Sequence, residues 1–447
     1  MRLTEIYLQN FRIFHELKLG GANEYDAPIN PRMNVIIGDN GAGKSAILGA
    51  ISSLASNYAY TLSKDRKIKY QLSNLDINND EDDLLIEANF EYEGWGESKT
   101  GSWKMGIQRE RLGKKRKPKF KVMENSNNGN SYDENDLSYR NFPVVMHYGV
   151  ERSALEVPER NRSDNNYPQE IQYFEMLNSK SNFRQFYQWF EDMENIENQL
   201  FRYKNFRDSL NMHAHEGEHP AVIRLRAVRC AVEKFLGNFT NLRVDRSHGK
   251  AFLIDKQDRP YNIEQLSQGE RNLITLVGDI GKNLSIMYPR SSAPLEEAAV
   301  VLIDEIDMHL HPSWQVDILD KLMETFPQCQ FFVTTHSPLV ISTANKNINI
   351  IRLEGGRVRV ITENLRGWSA EKVLKSAMKA PYMEYEILES IEKVERLIEK
   401  ERISEAKEAF ESIKHLKNGK NSEVNRVASL LEEREMLIEL GNLMLGE

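Results

Sequence analysis

The first part of the chain alternates apolar and polar positions as strands do. Leu3, Ile6 and Leu8, then Phe11, Ile13 and Leu17, predict a pair of strands. Asn34 to Ile37 is a short apolar run that stops at a glycine-rich loop. Beyond it, Ile47, Leu48, Ile51 and Leu54 fall on one face of a helix beginning near Lys44. Leu84 to Ile86, Phe90 to Tyr92 and Trp103 to Ile107 read as strands. Asn125 to Asp136, rich in Asn, Ser and Gly, reads as a loop. Pro143 to Met146 predicts a further strand, ending in a turn at Tyr148-Gly149.

The period then changes. Residues 165–236 read as helical, and the aromatics from Phe183 to Phe190 are placed as helix-packing core, a partner or dimer contact being the alternative. Leu242 to Ile263 returns to short strands. A helix after Gly269, a strand from Ala299 to Ile303, a helix near Ser313 to Thr325 and a strand from Gln330 to Val333 follow in turn. Strand and helix in alternation predict an α/β fold whose core sheet is mixed and largely parallel. From Ser369 onward the pattern is helical. Ile387, Ile391, Val394 and Ile398 form one stripe, and Ala406, Phe410, Ile413 and Leu416 a second. Ser404 is placed to cap the second helix, Gly419 to end it, and a third helix is expected from about Glu423 to Leu443.

Composition narrows the class. With 447 residues the chain is long for one compact domain, so one large domain with appendages, or two domains, is expected. No apolar run approaches the ~18 residues of a membrane span, and no secretory h-region opens the chain, so a cytoplasmic protein without membrane contact is expected. The two cysteines, Cys230 and Cys329, form neither a metal pattern nor a disulfide framework. A formal net charge of -8 argues against nucleic-acid binding by the whole surface while leaving room for a basic patch. Lys114 to Lys121 is the candidate for such a DNA contact, a solvated hairpin tip being the alternative. Arg224, Arg226 and Arg229 offer a second choice between a DNA-facing and a solvated helix face.

Three segments carry chemistry. Gly38-Asp39-Asn40-Gly41-Ala42-Gly43-Lys44-Ser45 fits a phosphate-binding loop. Its glycines let backbone N–H groups turn toward phosphate oxygens. Lys44 neutralises β/γ-phosphates, and the Ser45 hydroxyl ligates Mg²⁺. Asp304 and Glu305 end a buried strand, where two carboxylates are costly unless a cation or water receives them. Asp304 is placed to hold Mg²⁺ and Glu305 to orient or deprotonate the attacking water. Leu266-Ser267-Gln268-Gly269-Glu270 opens a helix, so Ser267 and the Gly269 backbone can meet an anion. A single active site has no use for two phosphate-facing helix termini, whereas two sites sandwiched between two chains do.

The order of these segments, followed by His336 in Thr334-Thr335-His336-Ser337-Pro338, resembles ABC-type ATPases of the RecF and SMC group. The resemblance implies an ABC-type P-loop ATPase head that binds ATP and Mg²⁺. It also implies that Ser267 and Gly269 contact γ-phosphate in the opposite subunit, that Asp307 lies in the loop coupling the two sites, and that His336 touches γ-phosphate. Asn10-Phe11-Arg12 resembles the segment by which RecF-like heads meet adenine and ribose, with Arg12 as the contact, although Phe11 equally suits the core. The family's Q-loop glutamine has no clear counterpart, and no residue of Pro143 to Arg152 is assigned to that role. The phosphate loop with Asn40, Gly41, Gly43, Lys44 and Ser45 completes the expected nucleotide set.

Pro143 to Gly149, Ala227 to Val232 and the helical tail from Trp368 are similar to the PtuA-type ATPases of Septu anti-phage defence, also found beside retrons. That resemblance implies a head-to-head dimer, or a higher oligomer, and a separate HNH-type nuclease partner like PtuB. The alternative is a RecF-like DNA-binding repair ATPase without a nuclease partner. The expected organisation is an N-terminal head lobe over 1–160, a helical insertion over 161–240, a C-terminal head lobe over 241–365, and a helical partner or oligomerisation region over 366–447.

Overall fold

A computed structural model describes residues 1–21, 27–62, 72–94, 97–109, 120–128, 144–150, 173, 175–177, 183–209, 219–246, 251–379, 385–414 and 422–444. Strands are β1 (Arg2–Phe11), β2 (Phe14–Gly20), β3 (Met33–Gly38), β4 (Asp83–Gly94), β5 (Glu97–Arg109), β6 (Phe120–Asn128), β7 (Val145–Tyr148), β8 (Phe239–Asp245), β9 (Ala251–Lys256), β10 (Arg259–Asn262), β11 (Val300–Ile303), β12 (Gln330–Thr334), β13 (Asn349–Glu354) and β14 (Arg357–Ile361). The helices used below are α1 (Lys44–Leu62), α2 (Phe183–Ser209), α3 (Pro220–Leu236), α4 (Gln268–Met287), α5 (Pro312–Thr325), α6 (Pro338–Ser342), α7 (Tyr385–Glu399), α8 (Ile403–Glu411) and α9 (Ser422–Met444).

The central sheet runs β14-β13-β3-β12-β11-β7. Its pairs are parallel except for β13–β14 at one edge. The inner strands carry apolar runs, with Val300 to Ile303 and Phe331 to Val333 fully buried, as a sheet covered on both faces requires. The core is therefore α/β and largely parallel. A second sheet, β2-β1-β4-β5-β6, is antiparallel, and β10-β9-β8 forms a third. The chain divides into two compact units, Met1–Val373 and Leu374–Glu447. In the second unit Ile391, Val394 and Ile398 of α7, Ala406 and Phe410 of α8, and Val424, Val427 and Leu431 of α9 share one apolar core.

Some local expectations need correction. Leu84 to Ile86 and Phe90 to Tyr92 belong to one strand, β4. Asn125 to Asn128 is strand, not loop, because β6 pairs with β5 as far as Ser102 opposite Asn128. Ladder pairing outweighs the low strand propensity of Asn. The helical reading of 165–236 breaks into α2 and α3, with His219 capping α3 through Ala221 N–H. Ser404 does not cap α8. Arg402 stands at the N-cap position without a side-chain bond to the helix backbone, its backbone N–H is already bound to Leu397, and Ser404 lies inside the helix. Leu416 and Gly419 lie outside the described residues.

The aromatics of α2 do form core: Phe186 and Phe190 are buried and pack on Phe252 at 6.2 and 5.0 Å between ring centres. Neither reading of the α3 arginines as a set holds. The Arg229 guanidinium bonds the Glu197 and Glu194 carboxylates. Burial lowers the pKa of Arg224. Arg226 alone of the three is exposed. Lys114 to Lys119 lies outside the described residues, as does the Lys121 side chain.

Candidate nucleotide site

β3 delivers the glycine-rich loop from the centre of the sheet, and α1 starts at Lys44. Gly43 has φ +95°, and a β-carbon there would lie 2.3 Å from the Phe14 ring. Only glycine fits this loop against the β1–β2 hairpin. Lys44 is buried, and its Nζ donates to the Gly38 and Asp39 carbonyls at 2.8 and 3.0 Å. Burial lowers its pKa, while the carboxylates of Asp304, Glu305, Asp39 and Asp307 act against that shift. Asp304, Glu305 and Asp307 therefore lie in the field of Lys44. Asn40, Gly41 and Ser45 are exposed at the loop surface. A cation held by its own loop, an exposed hydroxyl and a facing carboxylate make a donor set that suits a magnesium–triphosphate.

β12 lies between β3 and β11, so the loop after β12 meets the carboxylates that end β11. Thr334 Oγ1 donates to Asp304 Oδ1 at 2.5 Å and accepts the Glu305 N–H at 2.8 Å. Thr335 Oγ1 donates to Asp307 Oδ1 at 2.5 Å. Glu305 has φ +47°, a conformation costing about 1–2 kcal/mol for a residue with a β-carbon. The Thr334 bond holds it there, as strain at functional sites generally needs. Sequence reasoning singled out His336 and passed over these two threonines; their signal was a Thr-Thr pair closing an apolar strand.

His147, within the stretch left unassigned, lies opposite Leu302 in the β7–β11 register. Side chains alternate, so it shares a sheet face with Asp304. Burial pushes its pKa down to about 4, with the Asp304 charge opposing. The neighbouring Tyr148 faces the other way: its hydroxyl donates to Asp279 of α4 at 3.0 Å, and its carbonyl accepts the Asp304 N–H at 2.8 Å.

Ser267 caps α4 in a reciprocal box with Glu270: the Ser267 N–H and hydroxyl donate to Glu270 Oε2 at 3.0 and 2.9 Å. Lys256 of β9 bonds the other Glu270 oxygen at 2.7 Å. Burial pushes the Glu270 carboxyl up, but the Lys256 and Ser267 hydrogen bonds outweigh it and hold its pKa below the usual value. Gly269 is buried against His309, which follows Asp307 in the turn after β11.

At the hairpin tip Phe11 is core, 1% exposed. Arg12, with φ +53°, bonds Asp76 through its Nε at 2.9 Å and its backbone N–H at 2.7 Å. Its guanidinium reaches to 4.0 Å from a β-carbon built on Gly49 of α1, placing it beside the phosphate-loop helix. Half of the Arg12 side chain stays open to solvent. Among the described residues no helix is long and apolar enough to cross a membrane.

A phosphate loop after one parallel strand, paired carboxylates after a second and a histidine loop between them define an ATPase on an α/β head with a largely parallel core sheet. The chain belongs to the family described as "AAA domain, putative AbiEii toxin, Type IV TA system", which it matches over residues 106–342. Residues 1–201 also match the family described as "AAA ATPase domain". The chain is 26% identical over 444 residues to the "Retron Ec83 probable ATPase" of Escherichia coli, covering 86% of this chain and 78% of that protein. It is 22% identical over 383 residues to the "Septu protein PtuA" of Bacillus thuringiensis, covering 82% and 84%. Among solved structures it is similar to an SMC head bound to the C-terminal winged-helix domain of ScpA, with a TM-score of 0.41, 13% identity, and 82% and 99% of the two chains covered.

Proposed function

We propose that this ATPase is the nucleotide-dependent regulatory subunit of an anti-phage defence complex. Two copies close over ATP and Mg²⁺, and their state restrains or licenses a separate HNH-type nuclease. In each site Gly41, Gly43, Lys44 and Ser45 bind the phosphates, Asn40 and Arg12 border the nucleotide, and Ser45 and Asp304 hold the magnesium. Bound magnesium supplies charge neutralisation of the phosphates. Glu305 accepts the proton of the attacking water, His336 contacts γ-phosphate, and Ser267 and Gly269 of the second copy complete the site. The C-terminal helices, from 366 onward, serve partner docking or oligomerisation.

The observation that carries the reading is the Thr334 hydroxyl, which bonds Asp304 and the Glu305 amide together in the field of Lys44. A strand end built this way has its base and its metal-holding carboxylate aimed before substrate arrives. The relatives in retron and Septu systems support the defence role.

The test is Glu305→Gln with ATP and Mg²⁺, read by light scattering and by ATP turnover. A long-lived dimer with turnover lost supports the reading; normal hydrolysis sinks it. Co-purification with an HNH protein encoded beside the gene tests the partner separately.

A further inference from the structure

Gln315, on the first turns of α5, spans two loops of the site. Its Nε2 donates to the Leu310 carbonyl at 2.9 Å, at the end of the turn that carries Glu305 and Asp307. Its Oε1 accepts the Ser337 hydroxyl at 2.6 Å, one residue beyond His336. The amide orientation is fixed by its partners. Ser337 Oγ already accepts the Leu339 and Val340 N–H groups as the cap of α6, at 3.1 and 3.3 Å, so its one proton goes to Gln315.

On the other side of His336, Thr335 Oγ1 accepts the Ser337 N–H at 3.0 Å and donates to Asp307. Leu310 N–H returns to the Asp307 carbonyl at 3.1 Å. The hydrogen bonds close a ring: Asp307, Thr335, Ser337, Gln315, Leu310 and back to Asp307. His336 is the residue strung between Thr335 and Ser337 on that ring.

We infer that Gln315 is a positioning residue for ATP hydrolysis: it fixes His336 relative to the turn that carries Glu305. Gln315 acts through Ser337. This rests on the γ-phosphate role proposed above for His336. Half-buried on a helix, Gln315 tolerates replacement without a cavity in the apolar core.

The experiment measures kcat and KM for ATP in wild type, Gln315→Ala, His336→Ala and the double variant. Loss of placement by an ångström or less predicts a fall in kcat of about tenfold in Gln315→Ala, with KM within about twofold. In the His336→Ala background the same change should cost less than about twofold, since non-additivity marks residues acting as a unit. An equal loss in both backgrounds overturns the inference. His336→Ala at the wild-type rate instead defeats the γ-phosphate role, which separates the two failures.

Gln315→Met keeps the length of the side chain without its hydrogen bonds and replaces the alanine variant if that melts early. Gln315→Glu keeps the shape but sets an oxygen against the Leu310 carbonyl. It is expected to lose kcat as Ala does, and wild-type turnover in it also overturns the inference.

Discussion

Gly269 stands directly against the carbonyl of His309: a β-carbon built on it would lie 2.6 Å from that oxygen. The first turn of α4 therefore rests on the turn that follows Glu305 in the same chain. In the proposed dimer, the residues offered to the partner's nucleotide lean on the loop that serves the chain's own. The contact between the two is backbone against backbone, with no flexible side chain between them.

Gly269→Ala should consequently damage the protein before any nucleotide is present. The obstacle is backbone, so the loop must shift, at a cost of about 1–3 kcal/mol. Thermal melting of the nucleotide-free protein should show a lower midpoint. An unchanged midpoint would mean the turn gives way freely and the contact couples nothing.

Thr334→Val keeps the shape of the side chain and deletes the hydroxyl that bonds Asp304 and receives the Glu305 N–H. A buried amide left without its acceptor costs about 1–3 kcal/mol, and the strained Glu305 loses its restraint. ATP turnover should fall by tenfold or more, with the affinity for a fluorescent ATP analogue little changed. Thr334→Ser should retain most activity. Equal loss in Ser and Val would show that the methyl group, not the hydroxyl, matters.

Much of the site was readable because each motif is local and sits on an element with a clear period. β3 feeds Gly38–Ser45, α1 shows its apolar stripe, and β11 ends on Asp304-Glu305. The sheet order was not readable. Only once β12 is placed between β3 and β11 do Thr334 and Thr335 meet carboxylates 28 to 30 residues away. The same holds for His147 beside Asp304 and for Gly269 under His309, which follow from strand register and helix packing, not from spacing. Local signals also failed where pairing overruled them, as at Asn125 to Asn128 in β6.

Lys256 neutralises the carboxylate that caps the N-terminal end of α4. Lys256→Met should leave a net negative charge where γ-phosphate is proposed to approach. The ion pair is partly exposed, so stability should change by less than about 1 kcal/mol. ATP-driven association, followed by light scattering, should instead need several-fold more nucleotide. Adding Glu270→Gln to Lys256→Met should restore it. If the double variant associates no better than Lys256→Met, charge at this helix end is not the controlling quantity.

His147 gives a dependence of stability on pH with a definite sign. Burial holds its folded pKa at about 4, below the ordinary 6.5. Between these values the unfolded chain binds a proton that the folded chain refuses, so stability rises with pH. The contribution is complete above about pH 6.5 and is lost as pH falls toward 4. At pH 5 the loss is on the order of 2 kcal/mol. Urea unfolding in EDTA at pH 7.5 and pH 5 compares wild type with His147→Leu, which has no proton to bind at that position. Wild type should lose more stability than the variant by about that amount. Parallel losses would mean that His147 is solvated in the folded protein, and that the face it shares with Asp304 is open to water before nucleotide arrives.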